Sequence, residues 1–436
     1  MRLHATRRAA IAQGRGLGNP LWDLAGVPAS LDLRFAESKS LIDAVSGQQL
    51  ITFSRASDGA VVNSAGQIEI VAANVPRFTH DPVTLESLGL LVEEQRANLA
   101  LRSEELDNAS WIKINGSVTA NATVAPNGTI TADKFIENTA NGAHIAANET
   151  ASVTSGVSYT LSVFVKAAER TWVALFGSGT PFGTNAFYVN LTTGAIGSSV
   201  GTPSNIAVQR FPNGWFRISC SITAASTGAA GLQVRPATGD GGQVYQGDGS
   251  SGLFAWGAQL EVGGFPTSYI PTTGTAATRT ADVVSITGAN FSSWYRQNEG
   301  TVFAESSSFS NLSGSRVVSA IDDGSMSNRF QITFASGYTP NFAAVSTGTV
   351  SADLYASAPA QGFNTRFCTT YGVNDFVLSS NGGNSVTDTS GALPISVSTA
   401  RLGVFQNNTG YLNGTIRRLT YWPQRLPNST LLNITL

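Results

Sequence analysis

Cysteine is almost missing. The 436 residues carry two, Cys220 and Cys368, too few and too far apart for a disulfide framework or a thiolate metal site. In Phe216-Arg217-Ile218-Ser219-Cys220-Ser221-Ile222 the apolar residues alternate, which turns Cys220 toward a core as an inert thiol. Such a chain folds without an oxidising compartment, as assembly in a bacterial cytoplasm requires. Charge is also scarce: Asp, Glu, Lys and Arg make up 12%, against roughly 25% in an average globular protein. The net charge is −2, and of 26 basic residues only four are Lys (Lys39, Lys113, Lys134, Lys166). No clustered basic field is present, so no nucleic-acid partner is expected. The planar arginine fork suits carboxylates, in structural ion pairs or in acidic sugars. His4, His80 and His144 are scattered, with no HExxH and no CxxC, so no metal and no cofactor are expected. No Lys follows a Gly, which excludes a P-loop. No apolar run approaches the ~18 residues of a spanning helix, and no membrane insertion is expected. Helical periodicity is nearly absent; residues 427–432 are the best short candidate.

What is abundant is Gly, at 45 residues, with Ser, Thr and Asn, beside an apolar content of 42% that excludes a disordered chain. Many short strands joined by tight turns follow, and the fold class expected is mainly β: tandem antiparallel β-sandwiches of jelly-roll type after an N-terminal anchor segment. Residues 1–30 contain Arg2, Arg7, Arg8 and Arg15 against one acid, Asp23, with no apolar core of a signal peptide; they read as an anchor gripped by a partner. Residues 31–100 hold short strands with too little apolar alternation for a core of their own, and read as a connector packed on a neighbour. Residues 101–275 read as a first sandwich, residues 274–280 (GTAATRT) as a linker, and residues 281–436 as a second sandwich. Tyr159, Leu161, Val163 and Val165 alternate with Thr160, Ser162 and Lys166, and Val173 and Leu175 share a face, as do Phe187, Val189 and Leu191, and Leu232 and Val234. Phe254, Trp256, Ala258, Leu260 and Val262 read as one face of a closing strand. No fixed-period repeat is found.

Several segments resemble a known family. Pro76-Arg77-Phe78 runs through Asp81-Pro82 into an apolar patch at 88–92, then Glu93-Glu94-Gln95-Arg96, Ser103-Glu104-Glu105-Leu106-Asp107 and Trp111. Further on come Phe254-Ala255-Trp256-Gly257-Ala258-Gln259-Leu260-Glu261, Tyr269-Ile270-Pro271-Thr272, and Leu412-Asn413-Gly414-Thr415-Ile416-Arg417-Arg418-Leu419 before Tyr421-Trp422-Pro423. This series, over roughly residues 50–436, is similar to phage tail-fibre and head-fibre (head spike) proteins with carbohydrate-binding-like and concanavalin A-like sandwich domains. The resemblance implies a virion protein on the capsid or tail, docked on a head or tail protein through residues 1–30. It further implies a homotrimer that binds bacterial surface glycan for host attachment. Weak single-site affinity would be raised by repetition on the oligomer. A structural decoration protein and a polysaccharide-degrading tailspike are the rival readings.

Chemistry for the enzyme reading is thin. Gly197-Ser198-Ser199-Val200-Gly201 matches G-x-S-x-G, but its surroundings read as a turn-rich loop rather than strand-turn-helix. Glycan cleavage needs two carboxylates ~5–9 Å apart; the acidic stretch Asp81, Glu86, Glu93, Glu94, Glu104, Glu105 and Asp107 reads as a solvated connector. Asp322-Asp323-Gly324 reads as a turn before a calcium ligand set. No catalytic residue is expected. If Val173 and Leu175 are buried, Trp172 and Phe176 point outward about 13 Å apart at roughly 3.3 Å per residue. By the same parity Tyr188, Asn190, Gln233 and Arg235 lie outward, so these six are the candidate carbohydrate-binding residues; rings packed under a loop are the plain alternative. Trp111, Trp215, Trp256 and Trp422 read as structural. In the second sandwich Arg329, Gln331 and Arg401 are outward candidates.

Overall fold

Alternating apolar residues between Gly- and Asn-rich turns favour strands, and almost every regular element is one. Asn74, Asn213, Asn374 and Asn408 take the positive φ that tight turns ask of them. The computed structural model describes residues 20–309, 314–357 and 364–436. The described chain divides into two compact units, each discontinuous in sequence. One comprises residues 55–87 and 95–281; the other comprises the described residues up to Ser54, residues 88–94 and 282–436. The segment 31–100, expected as a separate connector, is therefore shared out between the two units.

In the 55–281 unit two sheets face each other. The Leu161 sheet runs Ser204–Arg210, Trp215–Thr223, Ser158–Ala167, Gly252–Val262, Ile130–Glu137, Gly116–Val124. The Trp172 sheet runs Ile196–Val200, Ala186–Asn190, Trp172–Ser178, Gly228–Ala237, Ile145–Val153, Trp111–Ile114. The pairings are antiparallel. Tyr159, Leu161, Val163, Val165 and Cys220 of the first interleave with Val173, Leu175, Phe187, Val189, Leu232 and Val234 of the second, as the two-residue period requires.

The Leu161 sheet is buried on its outer face too. Phe164, Phe211, Trp215, Trp256 and Tyr269 pack there with Ala60 and Ile68 of the 55–87 segment. The single face expected for the strand Gly252–Val262 is thereby corrected. Pairing with Ser158–Ala167 slips between Ser162↔Gln259 and Phe164↔Trp256, a β-bulge at Gly257, whose φ is +62°. The bulge sends Phe254 and Trp256 outward while Ala258 and Leu260 stay in the central core. Three fully buried arginines tie the added segment down. Arg55 donates to the carbonyls of Ser57 (2.9 Å), Ala72 (2.8 Å) and Val75 (3.2 Å). Arg77 donates to Ala60 O (3.0 Å) and Ser268 Oγ (2.7 Å), and Arg279 to the same Ser268 Oγ (2.8 Å). The expected linker 274–280 is thus in part structural: Ala277–Arg279 pairs antiparallel with Arg96–Asn98.

The second unit builds its own sandwich. One sheet runs Val386–Asp388, Asp375–Ser380, Thr365–Gly372, Gly300–Ser308, Gly414–Trp422, Ser87–Val92, with Leu31–Leu33 also paired to Gly414–Trp422. The other runs Thr52–Ser54, Val283–Thr287, Thr399–Leu402, Arg316–Asp322, Arg329–Ala335, Thr339–Ser346, Thr349–Tyr355. Aromatics fill the space between: Phe330 stacks on Tyr371 at 4.1 Å and Phe334 meets Phe367 edge-on at 5.0 Å. The expected short helix is present as Asn428–Thr435 after Pro427. Residues 20–30 do not stand apart as an anchor. Leu21, Trp22, Leu24 and Val27, on and after the helix Pro20–Ala25, pack against Trp422, Leu426, Leu431 and Ile434. Arg2, Arg7, Arg8 and Arg15 lie outside the described residues.

Candidate functional site

The outer face of the Trp172 sheet collects the six candidate residues. Trp172 is opposite Asn190 and Ala237, Ala174 opposite Tyr188 and Arg235, and Phe176 opposite Ala186 and Gln233, so three adjacent strands bring them together. The same face continues from Gln233 through Ala147 to Ile112, which is 48% exposed.

The rings are less open than parity suggested. Phe176 and Tyr188 are 4% and 2% exposed, and with Ala174, Ala186 and Ala237 they form a small apolar layer of their own. The three alanines leave room for both rings to lie against the sheet, edge to face at 6.4 Å. Arg235 then covers Phe176, its Cζ 3.8 Å from the ring centroid. Trp172 remains half-buried. It lies close against Gly197, where a Cβ would approach Trp172 Cζ3 to 2.9 Å and Asp240 Oδ1 to 2.5 Å. Asn190 serves a turn: its Oδ1 accepts from the backbone N–H of Thr192 (2.8 Å) and Thr193 (3.2 Å).

Beside the Phe176 ring is a recess of about 420 Å³, lined also by Gln233, Arg235 and Gln243, by Thr180, Thr184 and Val200, and by the glycines 177, 179 and 183. Arg235 donates from Nε (2.8 Å) and Nη2 to Gln233 Oε1, and from Nη1 to Gln243 Oε1. Gln233 Nε2 donates to Ser178 Oγ (2.8 Å), and Ser178 Oγ to Glu149 Oε1. Burial lowers the Arg235 pKa and raises that of the Tyr188 phenol beside it. Asp240, beside Gly197 near Trp172, accepts from Ser198 N (2.8 Å) and Ser198 Oγ (2.8 Å). Gln243 and the 180–184 loop were missed in the sequence, where neither sits in an alternating strand pattern. The recess offers a cation, amide groups, threonines and the Phe176 ring, and Trp172 lies farther along the same strand and face.

Elsewhere the structural readings prevail. Residues 197–200 lie in the edge strand Ile196–Val200 rather than in a loop, with Gly201 just past its end, and the next element is the strand Ser204–Arg210, not a helix. Trp111, Trp215, Trp256 and Trp422 are all buried. The acidic stretch is not uniformly solvated: Glu93 is 3% exposed. Glu104 is half-buried and its pKa is raised by burial, against the Tyr269 hydroxyl that donates to it at 3.0 Å. Asp323 closes its own turn, accepting from Ser325 N (2.8 Å) and Asn328 Nδ2 (2.9 Å). Among the described residues no group of three or more His, Cys, Asp or Glu could hold a metal, and no helix is long and apolar enough to cross a membrane. In the second sandwich Arg401 pairs with Asp322 at 3.0 Å and Arg329 Nε donates to Gln331 Oε1 at 2.7 Å. Gln331 is only 8% exposed, so this face is closed rather than outward.

No family model and no curated protein matches the chain. Among solved structures it is similar to the CBM40 of the Ruminococcus gnavus IT-sialidase bound to α2,6-sialyllactose, at 16% identity and a TM-score of 0.29, over 32% of this chain and 85% of that one. It is similar to a heptameric SAP-like pentraxin from Limulus polyphemus, at 15% identity and a TM-score of 0.24, over 32% and 70%. Domains LG4-5 of the mouse laminin α1 chain give 10% identity and a TM-score of 0.22, over 65% and 84%.

Proposed function

We propose that this chain is a non-enzymatic, saccharide-binding subunit of a phage or phage-like fibre or spike, attaching the particle to bacterial surface polysaccharide through the outer face of the Trp172 sheet and the recess beside Phe176 on it. The observation that carries the binding role is the recess itself. Fixed amide and guanidinium donors line a cavity of about 420 Å³ together with the Phe176 ring and Val200, the mixture of few polar groups and apolar wall typical of small-ligand sites. None of the lining residues is acidic, which supports binding over hydrolysis, since cleavage needs a carboxylate pair at the bond. The virion setting, docking through residues 1–30 on a head or tail protein, and trimeric assembly rest on the motifs read in the sequence.

Retention of the intact protein on a bacterial polysaccharide array tests the reading. Trp172→Ala is expected to weaken retention by about 1–2 kcal/mol, the scale of an aromatic anchor, with an unchanged melting curve. Absence of retention on every polysaccharide would favour a decoration role. Release of new reducing ends would favour a depolymerase.

A further inference from the structure

We propose that the saccharide taken by this recess is carboxylate-bearing, and that its carboxylate binds the remaining N–H groups of Arg235. The proposal rests on the saccharide-binding reading and adds the charge class of the sugar.

A guanidinium has five N–H donors in a fixed plane and is always charged. Three bonds of Arg235 are made within the protein: Nε and Nη2 to Gln233 Oε1, and Nη1 to Gln243 Oε1. Five less three leaves two, one on Nη1 and one on Nη2, that no described residue accepts. The acceptors it does have are neutral amides. Other arginines of the chain are neutralised at short range: Arg401 by Asp322 at 3.0 Å, Arg418 by Asp32 at 2.7 Å and Arg425 by Asp375 at 2.8 Å. Arg235 has no such ion pair among the described residues. The two nearby acids are otherwise engaged: Glu149 receives Ser178 and is linked to Arg235 only through Gln233, and Asp240 receives Ser198.

The cation is also held in place before any ligand arrives. Gln233 donates to Ser178, which fixes its Oε1 toward the guanidinium, and the Phe176 ring supports the guanidinium at 3.8 Å. A fork whose plane and position are set in advance loses little freedom on binding a planar anion. A carboxylate fits this chemistry, because it is planar and accepts at two oxygens. A sulfate brings charge without the matching plane, and a neutral sugar leaves the charge unanswered.

The experiment prints bacterial uronate-containing polysaccharides beside their carboxyl-reduced forms, with neutral polysaccharides, dextran and dextran sulfate. It compares the intact wild-type protein with Arg235→Gln, Arg235→Lys and Trp172→Ala, all checked for unchanged melting curves. Expected is retention on one or more uronate polymers that falls at least tenfold on carboxyl reduction and in both Arg235 variants, Lys included because it keeps the charge but not the fork. Retention on neutral polymers that depends on Trp172 and not on Arg235 would overturn the charge class while sparing the saccharide reading. Equal retention on dextran sulfate, unaffected by Arg235→Gln, would overturn it as polyanion adhesion. Retention on nothing would overturn both.

Discussion

Asp32 shows how few charges this chain uses and how fully it commits them. It is fully buried and accepts from Arg418 Nε (2.8 Å) and Nη2 (2.7 Å), Arg34 Nε (2.8 Å) and Thr420 Oγ1 (2.8 Å). Removing one partner of a buried pair strands the other, at about 3–5 kcal/mol. Asp32→Ala is therefore expected to lower the denaturation midpoint of its unit steeply, measured by urea titration; a change below about 1 kcal/mol would contradict this ion pair. Cys220 is the opposite case. Burial pushes its thiol up to about 12, so a thiol reagent at pH 8 is expected to leave it unmodified until the protein is unfolded. The alternation around residue 220 made that burial legible in the sequence. The same parity correctly put Trp172, Tyr188, Gln233 and Arg235 on one face, because a strand allows its side chains only two directions. It could not say that Phe176 and Tyr188 lie flat, since that depends on Ala174, Ala186 and Ala237 meeting them from neighbouring strands.

Elements were legible where they were regular and illegible where one residue broke the register. Strands with buried residues at 161, 163 and 165 or at 173 and 175 followed from their pattern. The bulge at Gly257 did not, although it decides that Trp256 leaves the central core. An Ala there meets both a positive φ and Phe164 Cδ2 at 3.0 Å. Gly257→Ala is expected to cost about 1–2 kcal/mol, the penalty of a left-handed L-residue, read as a lower melting temperature. The strand Ile130–Glu137 ends in another local device. Glu137 accepts from Arg170 Nε (2.9 Å), Tyr245 OH (2.7 Å) and Asp248 N (3.0 Å). Burial pushes its pKa up, but the Arg170 and Tyr245 bonds outweigh it and hold the carboxyl below its usual range. A lowered folded pKa contributes stability that is complete above the unfolded value of about 4.3 and is lost as pH falls through the folded one. The wild-type midpoint is expected to decline from pH 5 toward pH 3 more steeply than that of Glu137→Gln. Parallel curves would remove this carboxylate from the acid response.

At the scale of the molecule, the sandwich class was legible and the division of the chain was not. Composition and alternation announce two sandwiches, but nothing local tells that residues 55–87 belong with the first and residues 31–54 with the second. That information is carried by contacts such as Ala60 and Ile68 on the Trp256 cluster. A fragment of residues 101–275 lacks this cover and is expected to expose Phe164, Trp215 and Trp256, bind a hydrophobic dye and aggregate. A fragment of residues 55–281 is expected to unfold in one cooperative step. Equal behaviour of the two would show the cover to be dispensable.

The pairing of Leu31–Leu33 with residues 419–421 has a consequence for synthesis. After the first of these strands leaves the ribosome, nearly four hundred residues must be added before the second emerges. The 55–281 unit has all its parts in hand long before then. The unit that carries Asp32 is left open until residues 419–421 appear, and in that interval its waiting strand is the segment most in need of a chaperone.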